Sequence, residues 1–474
     1  MAARVDLFRS INPATAEEIE SFPIDEPSEV DAKLDISART AMRWKQSSFS
    51  ERADLLRAVA NALRDNLDSH AATITTEMGK PIIEARAEVE KCAFVCDYFA
   101  DNAARFLAED PAPSDSPASY ITFEPLGTVL ACMPWNFPYW QVFRCAAPSI
   151  AAGNCVVLKH ASNVTRSGLR IEKVFHEAGA PAGLFTMLVL PAGRVAGVIG
   201  DPRIDAVSLT GSTAAGQSVA AAAGEHVKKC VLELGGSDPF IVLEDADLDQ
   251  AVQIGVRSRF QNAGQSCIAA KRFIVVDSVA DAFEERFVAA VKQLRLGEPL
   301  DAETQMGPLA RDDLRDNIER QLRESVARGA VLRAGGARPQ RAGFYLQPTV
   351  ITRCDVDMPA FREETFGPLA PLMRVHDQDE AVSIANHSQY GLGGNVWTRD
   401  IDRGQAVARQ ILTGGVFING MTHSDPRLPF GGIRESGYGR ELHRFGIQEF
   451  VNVKTVWLPD SSAAAPAVPG VTAE

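Results

Sequence analysis

Three short stretches carry side chains that could do chemistry together. FQNAGQSCIAAKR (residues 260–272) sets one thiol, Cys267, after Asn262, Gly264, Gln265 and Ser266, with a cationic pair, Lys271 and Arg272, just beyond. Buried cysteines ordinarily sit among aliphatic residues and behave as small hydrophobes; here small and amide neighbours leave room for something to approach. LELGGSDP (residues 232–239) puts a carboxylate, Glu233, at the end of an apolar run and before two glycines. A carboxylate flanked by Leu232 and Leu234 is costly to bury without a partner or a task. MPWNFPYW (residues 133–140) holds Asn136 among aromatics and prolines, where a rigid amide could donate to an oxyanion. A thiol, a base and an oxyanion donor are the parts of covalent catalysis on cysteine. Each also has a plain structural reading: a packing thiol, a capping or ion-paired acid, a turn asparagine.

A fourth stretch, LTGSTAAGQS (residues 209–218), runs from a strand through a Gly-Ser turn into a helix. Backbone N–H groups at such a helix start can hold phosphate. The spacing of Gly211 and Gly216 is that of a P-loop, but Gln217 stands where the P-loop lysine belongs, which disfavours phosphoryl transfer. It is not the GxGxxG dinucleotide fingerprint either.

The elements that must position these residues read as follows. Residues 29–110 carry helical periodicity, and Cys92 and Cys96 share one helix face as packing residues. DPAPSDSPAS (residues 110–119) breaks that run, and short β-like segments follow. CVVLKH, FTMLVL, AVSLTG, KCVLELGG and FIVLED then alternate with helical patterns, the mark of a parallel α/β sheet covered by helices. A second α/β series runs from about residue 245 to 430. FVNVKTVWL (residues 450–458) is a late isolated strand that must pair elsewhere, across a subunit interface for example. The last residues, SSAAAPAVPGVTAE, are expected to be disordered.

The bulk numbers fit a large globular enzyme. The chain has 474 residues, 46% hydrophobic and 23% charged, with a formal net charge of −13. A nucleic-acid or anionic-membrane binder would need a basic face. No apolar run approaches a membrane span, and the N-terminus lacks a signal-peptide core, so the expectation is a soluble cytoplasmic protein. Eight scattered cysteines without CxxC pairs, and eight dispersed histidines, argue against metal catalysis and for reduced thiols.

Taken in order, PWNFP, LK with its polar followers, TGS, LELGG, NAGQSC, EETFGP and PFGG with SGYGRE resemble the aldehyde dehydrogenase superfamily over nearly the whole chain. The resemblance implies an α/β fold with a Rossmann-type cofactor domain (1–114 and 136–233) and an α/β catalytic domain (234–439). It adds a small β oligomerisation extension (115–135 and 440–460) before the tail (461–474). It implies that Cys267 is the nucleophile and Glu233 the general base, with Asn136 and the Cys267 N–H as the oxyanion donors. Lys159 would hold the adenosine ribose, Gly211 and Ser212 the turn near the pyrophosphate, Glu364 the nicotinamide ribose and Phe366 the nicotinamide. Trp135 and Leu234 also fall in the cofactor site. The reaction would pass through a thiohemiacetal and a thioester to a carboxylic acid.

Within the superfamily, KHASNV, LELGGSDPFIV, QSCIAAKRFIV and VFINGM resemble bacterial succinate-semialdehyde dehydrogenases of the shorter type. Arg144 and Ser424 match substrate-pocket residues there. Gln261 replaces a second arginine of some relatives, which weakens charge recognition and leaves broader aldehyde use open. Ala269 replaces the second cysteine of redox-switched relatives. Ser162 replaces the glutamate of many NAD-preferring members, so NADP is expected to serve at least as well as NAD. Homodimers or dimer-of-dimers tetramers are implied. Two readings from other classes stay open from the residues alone: a cysteine hydrolase or acyltransferase without nicotinamide, and a non-catalytic protein of the same fold.

Overall fold

The computed structural model describes residues 7–116 and 118–458. An antiparallel pair, β1 (Leu7–Ile11) and β2 (Glu18–Pro23), precedes four helices, α1 (Pro27–Trp44), α2 (Phe49–Asp65), α3 (Leu67–Met78) and α4 (Ile82–Phe106). Local signals write their ends. The Ser48 hydroxyl accepts from the Glu51 N–H, while the Glu51 carboxylate accepts from the Ser48 N–H, a reciprocal cap. Gly79 ends α3 in the left-handed region at φ 81°. On α4, Cys92 and Cys96 are fully buried beside Val89 and Phe99, and burial pushes both thiols up. They pack, as their helical spacing predicts.

After β3 (Asp110–Pro111) and β4 (Tyr120–Pro125), the chain alternates strand and helix: β5 (Thr128–Met133), α5 (Trp140–Ala152), β6 (Cys155–His160), α6 (Thr165–Glu177), β7 (Phe185–Leu188), α7 (Val195–Gly200), β8 (Ala206–Thr210), α8 (Thr213–Glu225) and β9 (Lys229–Glu233). The second series holds β10 (Asp238–Val242), α9 (Leu248–Phe260), β11 (Ala270–Val276), β12 (Val331–Ala334), β13 (Thr349–Thr352), β14 (Leu369–Val375), β15 (Asn395–Trp397) and β16 (Phe417–Ile418), and β17 (Gly437–Tyr438) and β18 (Val451–Val456) close the described chain.

These strands form two large sheets and one small one. The first has the order β17-β9-β8-β5-β6-β7, parallel except for β17. Every residue of β5 and β8 is buried, and β6 is buried except at Lys159, which is why these strands read as continuous apolar runs. From β5 the chain winds outward to β6 and β7, then returns to β8 on the other side. The connections that leave the C-terminal ends of the neighbouring β5 and β8 therefore run to opposite sides, the place where open α/β sheets hold ligands. The second sheet has the order β12-β13-β14-β11-β10-β15-β16, parallel except for β12.

The third sheet, β18-β4-β3, is antiparallel. β18 pairs with β4 from Val451 opposite Pro125 to Val456 opposite Tyr120, so the late strand finds a partner in its own chain. The segment 115–135 divides between sheets. Half-buried β4 lies in the extension, while β5, all apolar but for its first residue and covered on both faces, is central to the first sheet. The tail at 461–474 lies outside the described residues. Among the described residues no helix is long and apolar enough to cross a membrane, and no cluster could hold a metal ion.

Candidate active site

The thiol sits at the end of a strained, heavily bonded loop. α9 stops at Phe260, and Asn262, Ala263 and Gly264 follow with φ of 53°, 53° and 74°. Left-handed backbone costs a non-glycine residue roughly 1–2 kcal/mol, so neighbours must hold it. The Asn262 N–H donates to Glu84 Oε2 at 2.9 Å, and its side-chain Nδ2 to the Asn136 carbonyl at 2.8 Å and to the Gln265 carbonyl at 3.1 Å. Gln265 accepts from the Ala310 N–H at 2.9 Å. The fully buried Arg259 guanidinium donates to the carbonyls of Gly264, Thr365 and Gly367 at 2.8, 3.1 and 2.8 Å. It thereby ties the Cys267 loop to the loop carrying Glu364 and Phe366. A side chain at Gly264 would strike the Gly367 carbonyl.

Around Cys267 the three expected chemical groups assemble unequally. Asn136 is buried and spends one N–H on the Gln265 carbonyl at 3.1 Å, leaving the other to donate. The Cys267 N–H has no acceptor among the described residues. Burial pushes the Cys267 thiol up to about 12, against the pull of Arg144 and Lys271; the resting thiol is protonated. Glu233 ends β9 fully buried, and burial raises its carboxyl to about 8, with Arg144 opposing. One carboxyl oxygen, Oε1, has no hydrogen-bond partner. It lies near Gly431 and lines neither of the two cavities that meet at the thiol. Burial thus favours the neutral form of this carboxyl and leaves it poised to gain or lose a proton near pH 8.

The first cavity, of about 410 Å³, opens where β5, β8 and β9 end. Trp135, Asn136, Gly211, Ser212, Leu234, Glu364, Phe366 and Cys267 all line it. Ser212 caps α8 by accepting from the Ala215 N–H at 3.3 Å, so the positive helix end faces the cleft. Trp135 and Phe366 meet edge to face with centroids 5.7 Å apart. Glu364 accepts from the Gly236 N–H at 3.0 Å and is ion-paired with Lys271. Lys271, named from sequence only as half of a cationic pair, also donates to the carbonyls of Gly236 at 2.6 Å and Cys267 at 3.1 Å. Gly235 and Gly236 are needed for close approach: a Cβ at either would strike Glu364 or the Cys267 carbonyl.

Lys159 and Ser162 stand apart from that lining, at the end of β6 and in the turn after it. The Lys159 ammonium has no ion pair or hydrogen bond among the described residues, and burial lowers its pKa. An aromatic and apolar end beside the thiol, a capped helix start, a free carboxylate oxygen and an unpaired cation fit a nicotinamide dinucleotide.

The second cavity, of about 80 Å³, reaches the same thiol. It gathers the three expected substrate residues, Arg144, Gln261 and Ser424, with Lys91, Trp140 and His423, which sequence reading missed. Arg144 is fully buried and already engaged. It is ion-paired with Glu441, donates to Thr210 Oγ1 at 3.2 Å, and lies 4.5 Å from the centroid of the Phe430 ring. His423 has Nδ1 against the Met421 carbonyl at 2.9 Å and no bond to Cys267 among the described residues, so no cysteine–histidine pair forms. Arg259 and Glu84 were also missed. Both stand on helices that carry several other charged residues, so their spacing did not single them out.

A family model described as the aldehyde dehydrogenase family matches residues 2–456. The chain belongs to the aldehyde dehydrogenase family. It is 49% identical over 450 residues to a probable succinate-semialdehyde dehydrogenase (NADP(+)) of Synechocystis, covering 95% of this chain and 99% of that one. It is 48% identical over 452 residues to succinate-semialdehyde dehydrogenase (NADP(+)) 1 of Mycobacterium tuberculosis, covering 95% and 99%. Among solved structures, succinic semialdehyde dehydrogenase from Streptococcus pyogenes in complex with NADP+ superposes with a TM-score of 0.94 at 40% identity, over 96% of this chain and 100% of that one. The aldehyde dehydrogenase fold thus accounts for both cavities. Of the residues assigned by resemblance, those beside the thiol converge, Glu233 waits behind them, and Lys159 and Ser162 lie along the same sheet edge.

Proposed function

We propose that this aldehyde dehydrogenase oxidises succinate semialdehyde to succinate, with NADP accepted at least as well as NAD. The observation that carries the reading is the position of Cys267 as the shared wall of two cavities. One has the groups for a nicotinamide dinucleotide, the other the cationic and hydroxyl groups for an anionic tail. The relatives just described add support through their names.

The chain's own groups divide the work. Cys267 Sγ gives up its proton to solvent water and adds to the aldehyde carbonyl carbon. The resulting oxyanion is stabilised by the free Asn136 N–H and the Cys267 N–H, about 3–4 kcal/mol per donor in comparable sites. The bound nicotinamide supplies the acceptor for the hydride that leaves this carbon. Glu233 then takes a proton from water, which attacks the thioester on Cys267 and releases the acid. Trp135 and Phe366 would wall the nicotinamide end, Leu234 and Glu364 would flank its ribose, Gly211 and Ser212 would face the pyrophosphate, and Lys159 would meet the adenosine ribose. Ser162 is small and uncharged, so it does not repel a 2′-phosphate.

The domains follow the sheets: cofactor-binding around the first, catalytic around the second, and the small antiparallel sheet as the oligomerisation extension. β18 keeps one edge without a strand among the described residues and exposes Val453, which favours a homodimer or a dimer of dimers. Free thiols throughout the described chain fit a cytoplasmic enzyme. The test is absorbance at 340 nm with succinic semialdehyde and with butanal, each with NADP and NAD. Higher kcat/KM for the acid aldehyde supports the reading. Preference for butanal removes the substrate, and an NAD preference above about 100-fold, or 2.7 kcal/mol, removes the cofactor assignment.

A further inference from the structure

Lys91 is a half-buried cation with no carboxylate paired to it among the described residues. It projects from α4 into the second cavity, where its ammonium donates to Ser424 Oγ at 3.0 Å and lies 4.0 Å from the centroid of the Trp140 ring. No ion pair reaches it among the described residues. The acids nearest to it are spent elsewhere. Glu88 is ion-paired with Lys80 and accepts from the N–H groups of Tyr139 and Trp140 at 2.9 and 3.0 Å. Asp425 accepts from Arg427 at 2.6 and 2.9 Å. An ammonium taken out of water without a counter-charge is expensive, and burial, with Arg144 next, lowers its pKa to about 8.

Ser424 completes the arrangement. Its oxygen accepts from both Lys91 and the Trp140 indole N–H, the latter at 2.9 Å. With both acceptor positions taken, its own proton is left to donate. Lys91 keeps two further N–H groups. Gln261 adds a neutral amide to the same lining, while Arg144 has part of its charge offset by Glu441. We propose that Lys91, with the Ser424 hydroxyl, is the site that holds the far carboxylate of the substrate. Arg144 contributes less to charge recognition than its type suggests. The inference rests on the acid-aldehyde reading above and names the residue that enforces it.

The test compares kcat/KM for succinic semialdehyde and butanal in the unmodified enzyme, Lys91→Met and Lys91→Gln. Thermal melting and NADP binding serve as checks on folding. Losing one partner of a charge pair shielded from water is costly, so the acid-to-butanal ratio should fall by at least about 30-fold in both variants. Inhibition of butanal oxidation by succinate should weaken by a similar factor. A ratio and a succinate inhibition constant that stay within about threefold of the unmodified enzyme's would overturn the proposal, as would equal losses on both aldehydes. An unmodified enzyme without preference for the acid aldehyde overturns the substrate reading itself. A preference that survives the loss of Lys91 overturns only the role of Lys91.

Discussion

The two cavities that share Cys267 are built in different ways. The nucleotide side is made largely of strand ends and the turns that follow them, on β5, β8 and β9. The aldehyde side is made of long side chains from scattered helices and loops: Lys91 on α4, Arg144 on α5, Gln261 after α9 and Ser424 far along the chain. A site made of turns is constrained by backbone geometry and tolerates few residue types. A site made of side chains can be retuned one substitution at a time. The cofactor end of this enzyme is thus set by the fold, and the substrate end by composition.

The most damaging way to break that contrast is at the shared wall. Cys267→Ala should lower turnover by at least about 10³-fold, the scale of losing a nucleophile, while cofactor binding, followed by fluorescence titration, persists. Turnover that survives, with the other seven cysteines in place, would remove the thiol from the mechanism.

Glu233 is the next test, because it belongs to neither cavity. Glu233→Gln should give a burst of about one reduced cofactor per site and then a steady rate lowered by about 10²–10³-fold. The pH profile carries the same information. The carboxyl, raised to about 8 by burial, is mostly protonated at pH 7, so base catalysis should grow as pH rises through about 8. That limb should vanish in the glutamine variant. A lost burst would mean that Glu233 instead takes the proton from Cys267.

Arg144→Met sharpens the comparison within the aldehyde side. It strands Glu441 as a buried, unpaired acid, so we expect a stability loss of about 3–5 kcal/mol by urea denaturation. The kcat/KM should fall by about 30-fold for both aldehydes rather than for the acid one alone. A selective loss on succinic semialdehyde, with stability retained, would return carboxylate recognition to Arg144.

The smallest effect is expected at the adenosine end. Ser162→Glu places a negative charge near the 2′-phosphate position and should move the NADP-to-NAD preference toward NAD by about tenfold, near 1.4 kcal/mol. No shift in the ratio would show that Lys159 and Ser162 do not read the ribose.

The same division explains what the sequence revealed. LTGS, LELGG and PWNFP are contiguous because a turn at a strand end is contiguous, and β6 and β8 were legible as apolar runs because both their faces are covered. The resemblance kept residues 115–135 together in the extension, whereas β5 pairs with β6 and β8 in the first sheet, partners that a local stretch does not reveal. The resemblance grouped the segments of β4 and β18 in one extension, but FVNVKTVWL by itself left the partner of β18 open. Lys91, Glu84 and Arg259 were silent because a charged residue on a helix usually faces water. Only the packing of α4 and α9 against distant loops turns these three inward. Arg144 was visible, but its partner Glu441, almost three hundred residues on, was not.

Two doorways serve one thiol. Each cavity has its own lining, and they share only Cys267 and Gln141. Traffic through one side therefore does not have to wait for the other. The acid formed on Cys267 can depart through the aldehyde cavity while the nucleotide is still seated. A molecule lodged near Ser424 would slow the enzyme without displacing the dinucleotide. In steady-state terms, inhibitors of the aldehyde side should not compete with NADP, and saturating the nucleotide should not relieve them.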